Sequence, residues 1–193
     1  GGIAWEMAAL SPQLAQHLIP IATDWKATDW LMANCYLQEQ ILNNSSRPIE
    51  DARIHAMLCY RTPESFEAKF NRTINSELGV FNIESWLAHH GEKLQQRFQL
   101  ASYKLMNQLL KTIDITRGRG SFESVVAPIT ANIHIIGINT DLFFTPIENR
   151  KTNLELQKLQ LQTSYQEIDS IHGHDAFLIE FEQLHRLLAT VFE

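Results

Sequence analysis

The 193-residue sequence predicts an α/β fold, with a partial parallel sheet that is interrupted by a helical lid insertion. Residues 132–138 form a short apolar, β-branched run of the kind found in strands buried within parallel sheets. Residues 17–23 and 164–168 predict two further strands. Between the first two strands, apolar residues recur at spacings of three and four, which predicts helices and no strand. The predicted helices of this insertion are 28–43, 49–61, 63–71, 83–96 and 100–113.

The last third of the sequence places an aspartate and a histidine after two of these strands. Asp141 follows the strand at 132–138, and His174 stands in a short loop between the strand at 164–168 and a final amphipathic helix. Carboxyl ends of parallel strands meet at one edge of a sheet, so the two side chains are expected to lie together there. We predict His174 as a general base and Asp141 as the carboxylate that orients it. The alternatives are a helix N-cap for Asp141 and an ordinary loop histidine for His174.

The order strand, Asp, helix, strand, His, helix is the one in which the α/β-hydrolase fold supplies the last two members of its catalytic triad. The nucleophile of that fold is a serine on a sharp Gly-x-Ser-x-Gly turn. Gly1 and Gly2 suit the small-residue end of such a turn, and no serine precedes them. We therefore expect the nucleophile in an amino-terminal portion of the same protein, of about equal size, that this sequence lacks.

This organisation predicts three regions along the sequence. Residues 1–26 are the first part of the core, residues 27–120 the helical lid, and residues 121–193 the second part of the core with Asp141 and His174. Three strands leave a sheet edge free to pair with the missing portion.

Ten short stretches, in order, resemble the carboxyl-terminal part of the homoserine O-acetyltransferase family, which reads Ser-x-Gly-Gly at the nucleophile and Gly-His-Asp-x-Phe-Leu at the base. They span nearly the whole sequence. The stretches are Gly1-Gly2, Asp51-Ala-Arg53, Ala56-Met-Leu-Cys-Tyr-Arg-Thr62, Glu84-Ser-Trp-Leu87, Gly91-Glu-Lys93, Arg97-Phe98, Ser102-Tyr103, Arg117-Gly-Arg-Gly120, Thr140-Asp-Leu-Phe143 and Gly173-His-Asp-Ala-Phe-Leu178.

The resemblance implies a ping-pong transfer of an acetyl group from acetyl-CoA, as co-substrate and without a bound cofactor, to the hydroxyl of L-homoserine in methionine biosynthesis. It also implies that Arg53 binds the substrate carboxylate and Asp175 its ammonium group. The alternatives are an ion pair of Arg53 with Glu50 or Asp51, and capping of the final helix by Asp175. The family further implies a cytoplasmic homodimer that associates through the lid helices.

Two competing functions stay open. One is hydrolysis by an esterase or thioesterase of the same fold, with water as the acceptor. The other is a fragment without activity that serves as a structural or interaction domain. Acetyl and succinyl donors also stay open, because the acyl pocket of this fold lies largely before the nucleophile.

Composition excludes several other classes. With 16 basic against 22 acidic residues, the formal charge of -6 argues against a nucleic-acid partner. No apolar run approaches the roughly 20 residues of a membrane span.

Cys35 and Cys59 lack metal-site spacing, so we expect buried free thiols of a reducing cytosol. His89 and His90 point about 100° apart on a helix, and we predict no metal site.

Overall fold

The structure, a computed structural model, describes residues 1–192. Its main sheet is three-stranded and parallel, in the order β1, β4, β5. The strands are β1 (His17–Leu18), β4 (Asn132–Ile138) and β5 (Thr163–Ile168). The predicted strand at 17–23 is shorter than expected, because Pro20 has no N–H for the sheet. Pro20 still accepts a hydrogen bond from Ile136 N at 3.0 Å, and Ile21 rejoins β4 through a single bridge.

β4 is the centre of the core. Its four isoleucines are at most 2% exposed. Two groups of residues cover it: Trp5, Val126 and Leu156 pack with its first half, and Ala176 packs with its second half. Burial of successive residues explains why the strand reads as one apolar run rather than as an alternating pattern.

The five predicted helices of the insertion are confirmed to within two residues at each end. Three elements were not predicted there or after it: a hairpin formed by Ile74–Asn75 and Val80–Phe81, the short helix Phe122–Val126, and a 3₁₀ helix at Gly173–Leu178. The helices are α1 (Gly2–Leu10), α2 (Asp29–Asn44), α3 (Pro48–Tyr60), α4 (Pro63–Phe70), α5 (Asn82–Gln95), α6 (Leu100–Lys111), α7 (Phe122–Val126), α8 (Pro146–Lys158) and α9 (Phe181–Phe192), with β2 (Ile74–Asn75) and β3 (Val80–Phe81) between α4 and α5.

The hairpin corrects the expectation of an insertion without strands. Each of its strands has only two residues, which is too short for a period of two to appear in the sequence. Its turn is built locally: Asn75 Oδ1 accepts hydrogen bonds from the N–H groups of Glu77 and Leu78, and Gly79 has a φ of +66°.

An apolar cluster fixes the insertion to the loop that follows β4. Leu31 and Cys35 of α2 pack against Phe143 and Phe144, and Ile113 lies beside them. The loop that carries Asp141 is therefore held from both sides, by the sheet and by the helices. That these helices form a lid stays a prediction.

Both cysteines are free thiols. Cys35 is buried, and burial raises the pKa of its thiol to about 11. Cys59 is half-buried and donates its S–H to Asn34 Oδ1 at 3.1 Å. Within residues 1–192, no helix has both the length and the apolar character of a membrane span.

A buried carboxylate, Asp24, joins the segment after β1 to α8. It accepts hydrogen bonds from Trp25 N and Thr152 Oγ1, both at 2.8 Å, and from Asn149 Nδ2 at 3.1 Å. These donors favour the charged form, but burial outweighs them and raises the pKa of Asp24 to about 6. The folded protein therefore binds a proton here more tightly than the unfolded chain does.

We predict that protonation of Asp24 makes the free energy of unfolding depend on pH, and that Asp24→Asn abolishes this dependence. Because the folded-state pKa is the raised one, the stabilisation is complete below about pH 4 and is lost as the pH rises through about 6. The difference between wild type and variant should change by about 3 kcal/mol over that range. Urea denaturation at several pH values measures it, with the exposed Glu77→Gln as control. Parallel stability curves for wild type and Asp24→Asn would refute the assignment.

Candidate active site

His174 and Asp141, 33 residues apart in the chain, are joined by a hydrogen bond. The His174 Nδ1 atom lies 2.8 Å from Asp141 Oδ2. The Asp141 side chain is fully buried, and the His174 side chain is 16% exposed. A carboxylate only accepts hydrogen bonds, so Nδ1 carries the proton and Nε2 of the neutral ring is left as a base. The expectation that these two side chains lie together at the sheet edge is confirmed.

The second oxygen of Asp141 fixes the carboxylate in place. Oδ1 accepts hydrogen bonds from the N–H groups of Phe143, at 2.7 Å, and Phe144, at 2.9 Å. The expected alternative, a helix N-cap, is therefore replaced by a cap on a turn, because α8 begins only at Pro146 and its N-cap is Thr145. Orienting the histidine and capping the turn are compatible, since each uses its own oxygen.

Aromatic rings enclose the imidazole of His174. Such a setting restrains the ring and keeps water away from its bond to Asp141. The rings, with their centroid distances from His174, are Tyr60 at 5.4 Å, Phe143 at 5.3 Å, Phe144 at 5.8 Å and Phe177 at 5.8 Å.

His174 lies in a 3₁₀ helix, Gly173–Leu178, rather than in an irregular loop. Gly173 begins it with a φ of +65°, and a Cβ there would lie 3.0 Å from the carbonyl oxygen of Tyr60. The junction of α3 and α4 also braces the preceding residues: the Thr62 hydroxyl donates to Ile171 O, and Ser65 Oγ lies 2.8 Å from His172 Nδ1. The insertion thus determines where the histidine stands.

Arg53 lies in α3 with its guanidinium 5.6 Å from the centre of the Tyr60 ring. The expected alternative, an ion pair with Glu50 or Asp51, does not occur. Glu50 pairs with Arg47 at 3.0 Å, and Asp51 accepts a hydrogen bond from the Ser45 hydroxyl. Among the residues that the structure describes, no carboxylate lies within 4 Å of Arg53.

Asp175 pairs with Arg61, whose Nε lies 3.2 Å from Asp175 Oδ2. It therefore does not cap the final helix, which begins at Phe181. Arg53 and Asp175 both act on Tyr60: burial raises the pKa of its hydroxyl most, the Arg53 charge lowers it, and the Asp175 charge raises it. The charges of Arg53 and Asp175 thus act in opposite directions on the pKa of the Tyr60 hydroxyl.

Sequence reasoning did not single out Tyr60 and Arg61 as site residues. Their position could have indicated them, because both belong to the stretch 56–62 that resembles the family. Tyr60 ends the helix that carries Arg53, and Arg61 follows it.

A cavity of about 400 Å³ opens beside this group of residues. Its walls come from α2, α3, α6 and the end of α5. Tyr60 and Phe143 line it and also contact the His174 ring, and Arg53 projects into it. The cavity therefore adjoins two of the rings that surround His174, while the imidazole itself is not part of its lining.

The two leading glycines pack tightly against neighbouring side chains. A Cβ on Gly1 would collide with the Thr23 side chain, and one on Gly2 would lie 2.7 Å from Ile113 Cδ1. Ile113 belongs to the cluster of Phe143 and Phe144, whose rings flank His174. The beginning of α1 therefore adjoins the apolar cluster that contains Phe143 and Phe144.

No protein-family model matches the chain. A curated homoserine O-acetyltransferase from Cyclobacterium marinum is 32% identical over 203 residues, an alignment that covers 100% of this chain and 56% of that protein. The chain belongs to the homoserine O-acetyltransferase family. It spans about half the length of the curated relatives it matches, which fits the predicted carboxyl-terminal portion.

Two solved structures show the same fold as this family member. The homoserine O-acetyltransferase from Bacillus anthracis superposes with a TM-score of 0.80 at 19% identity, over 91% of this chain and 52% of that one. Esterase E22 superposes with a TM-score of 0.80 at 14% identity, over 96% and 57% of the two chains. The fold is that of the α/β hydrolases, as the order of Asp141 and His174 predicted.

We predict that Gly173→Ala displaces the 3₁₀ helix of His174 and destabilises the fold. The left-handed φ costs about 1 to 2 kcal/mol for a residue with a Cβ, and the 3.0 Å approach to Tyr60 O adds to that cost. Gly79→Ala is the matched control, because Gly79 has a similar φ of +66° and nothing within 4 Å of its Cβ position. Chemical denaturation measures both variants. Equal losses of unfolding free energy in the two variants would show that the close approach to Tyr60 O does not contribute to the cost.

Proposed function

We propose that the protein transfers an acetyl group from acetyl-CoA to the hydroxyl of L-homoserine, through an acyl-enzyme on a serine that lies outside these 193 residues. The observation that carries the proposal is the imidazole of His174, oriented by Asp141 and packed beside Tyr60, over whose ring the Arg53 guanidinium lies. The Asp175 carboxylate directly follows His174 in the chain. The names of the curated relatives support it, and so does their length, about twice that of this chain.

In the first half-reaction, His174 Nε2 takes the proton of the serine hydroxyl while the serine oxygen attacks the thioester carbonyl. The tetrahedral intermediate collapses to the acyl-serine, and the coenzyme leaves as a thiol with the proton from His174. Asp141 stabilises the imidazolium that exists between these transfers. Its two fixed oxygens keep the ring from turning when the proton moves.

In the second half-reaction, the same nitrogen takes the proton of the homoserine hydroxyl, whose oxygen attacks the acyl-serine. O-acetylhomoserine forms and the proton returns to the serine. Homoserine is a zwitterion, and we assign its carboxylate to Arg53 and its ammonium group to Asp175. Arg61 uses one oxygen of Asp175 and leaves the other for the substrate.

Hydrolysis is the second candidate, because esterase E22 superposes as well as the acetyltransferase does. The guanidinium of Arg53 has no carboxylate within 4 Å among residues 1–192, which favours transfer. Hydrolysis of a simple ester or thioester would give a carboxylate-binding arginine no group to select. Dependence of thiol release on homoserine separates the two reactions in the full-length protein.

We also propose that the helices α2 to α6 act as a lid and associate in a cytoplasmic homodimer. Their outer surface supports this, because Tyr36 of α2 and Leu105 and Leu109 of α6 are about half exposed or more.

Arg53→Ala is expected to raise KM for homoserine by roughly 10- to 100-fold, since a charge-assisted bond is worth about 1.5 to 3 kcal/mol. The rate of acyl-enzyme formation should stay within twofold, because the donor does not need this arginine for its chemistry. The exposed Arg186→Ala of α9 is the control. Stopped-flow thiol release and steady-state kinetics measure the two effects. An unchanged homoserine KM would rule out the assignment of Arg53.

Asp141→Asn should lower kcat by roughly 10³- to 10⁴-fold with little change in KM, because the amide no longer favours the productive tautomer. The fold should survive, since the amide oxygen can still accept hydrogen bonds from Phe143 and Phe144. Asp29→Asn, exposed on α2, is the control. Kinetics and thermal unfolding are measured on the same samples. A variant of normal stability that retains wild-type kcat would contradict the role of Asp141.

A further inference from the structure

The cavity beside His174 contains two arginines and no carboxylate. Arg53 and Arg97 both line it, and no aspartate or glutamate belongs to its walls. The third basic residue of the walls, His55, is biased toward the neutral form, because burial lowers its pKa. The cavity is therefore positively charged, in a chain whose formal charge is -6.

Arg97 stands between α5 and α6, where the cavity meets solvent. Its side chain is exposed although it lines the cavity, and its backbone is fixed by a 3.0 Å hydrogen bond from Arg97 N to Leu94 O. Three uncharged residues stand on each side of it in the sequence. In the described part of the chain, no carboxylate lies within 4 Å of Arg97, whereas Arg47, Arg61, Arg119 and Arg150 each have such a partner.

Four of the other polar side chains of the walls are already engaged with the protein. The amide groups of Asn34, Gln38 and Asn107 each donate to a backbone carbonyl at 2.9 Å, the carbonyls of Trp30, Ala52 and Cys35. The Tyr103 hydroxyl donates to Gln38 at 3.4 Å. The two guanidinium groups are therefore the charged donors that a ligand would find there.

The cavity is also larger than one small amino acid needs, since a volume of about 400 Å³ falls in the range of pockets that hold drug-sized ligands. If Arg53 binds the acceptor carboxylate, Arg97 remains for a second anionic group. We infer that Arg97 binds an anionic group of the acyl donor at the opening of the cavity. This inference rests on the proposed acyl transfer.

The planar fork of arginine suits either a carboxylate or a phosphate. The group at Arg97 is thus the terminal carboxylate of a dicarboxylic acyl chain, or a phosphate of the coenzyme. Both sources share one chemistry, and the choice of donor in the experiment separates them.

The test compares three donors with full-length wild type, Arg97→Gln and the control Arg186→Gln. The donors are acetyl-CoA, succinyl-CoA and the acetyl thioester of N-acetylcysteamine, which carries no phosphate. We expect Arg97→Gln to raise the donor KM by roughly three- to tenfold, with kcat and the homoserine KM within twofold. Arg97→Lys should recover part of the loss, because it restores the charge without the fork.

A rise for succinyl-CoA alone identifies the acyl carboxylate as the group at Arg97. A rise for both coenzyme A thioesters, but not for the cysteamine thioester, identifies a phosphate. Unchanged donor KM values, or an equal rise for all three donors, would overturn the inference.

Failure of the proposed function gives a different result. If homoserine does not accelerate thiol release by the wild type, transfer is wrong, yet the donor KM values for hydrolysis still report on Arg97. Calorimetric titration of coenzyme A and of succinate into wild type and Arg97→Gln decides the matter without turnover. Equal affinities of the two proteins for both ligands would again overturn the inference.

Discussion

The hydrogen bond between His174 and Asp141 is the constraint on which the rest of the site depends. It joins the segments that follow two neighbouring strands, β4 and β5, so the pairing of these strands brings the two residues to the same edge of the sheet. The other oxygen of Asp141 accepts hydrogen bonds from the N–H groups of Phe143 and Phe144. The carboxylate is therefore already oriented when it accepts the hydrogen bond from His174, so forming that bond costs little conformational entropy.

The helical insertion completes the site rather than merely covering the sheet. Its junction between α3 and α4 braces the loop before His174, through Thr62 and Ser65. The same helix α3 provides Arg53 and Tyr60, and Arg61 directly follows it. A change in the packing of α3 would therefore act on the position of the imidazole and on the charges around it together.

Elements with a long, regular hydrophobic pattern were predictable from the sequence. β4 reads as an apolar run because it is buried by neighbours on both of its halves, and its polar successor Asp141 then had to stand at the sheet edge. The five insertion helices are long enough for their periodicity to show. The hairpin at Ile74–Asn75 is too short for that. The ion pair of Arg61 with Asp175 joins positions 114 residues apart, and no local pattern encodes it.

The protonation state of the His174 ring tests the central claim most directly. Heteronuclear NMR of histidine-labelled full-length protein, assigned with His174→Gln, reports which ring nitrogen carries the proton near neutral pH. The account predicts a protonated Nδ1 that donates to Asp141, with Nε2 unprotonated and available to the nucleophile. A neutral ring protonated at Nε2 would contradict it, because that tautomer cannot donate to Asp141 and its unprotonated nitrogen, Nδ1, faces the carboxylate rather than the nucleophile.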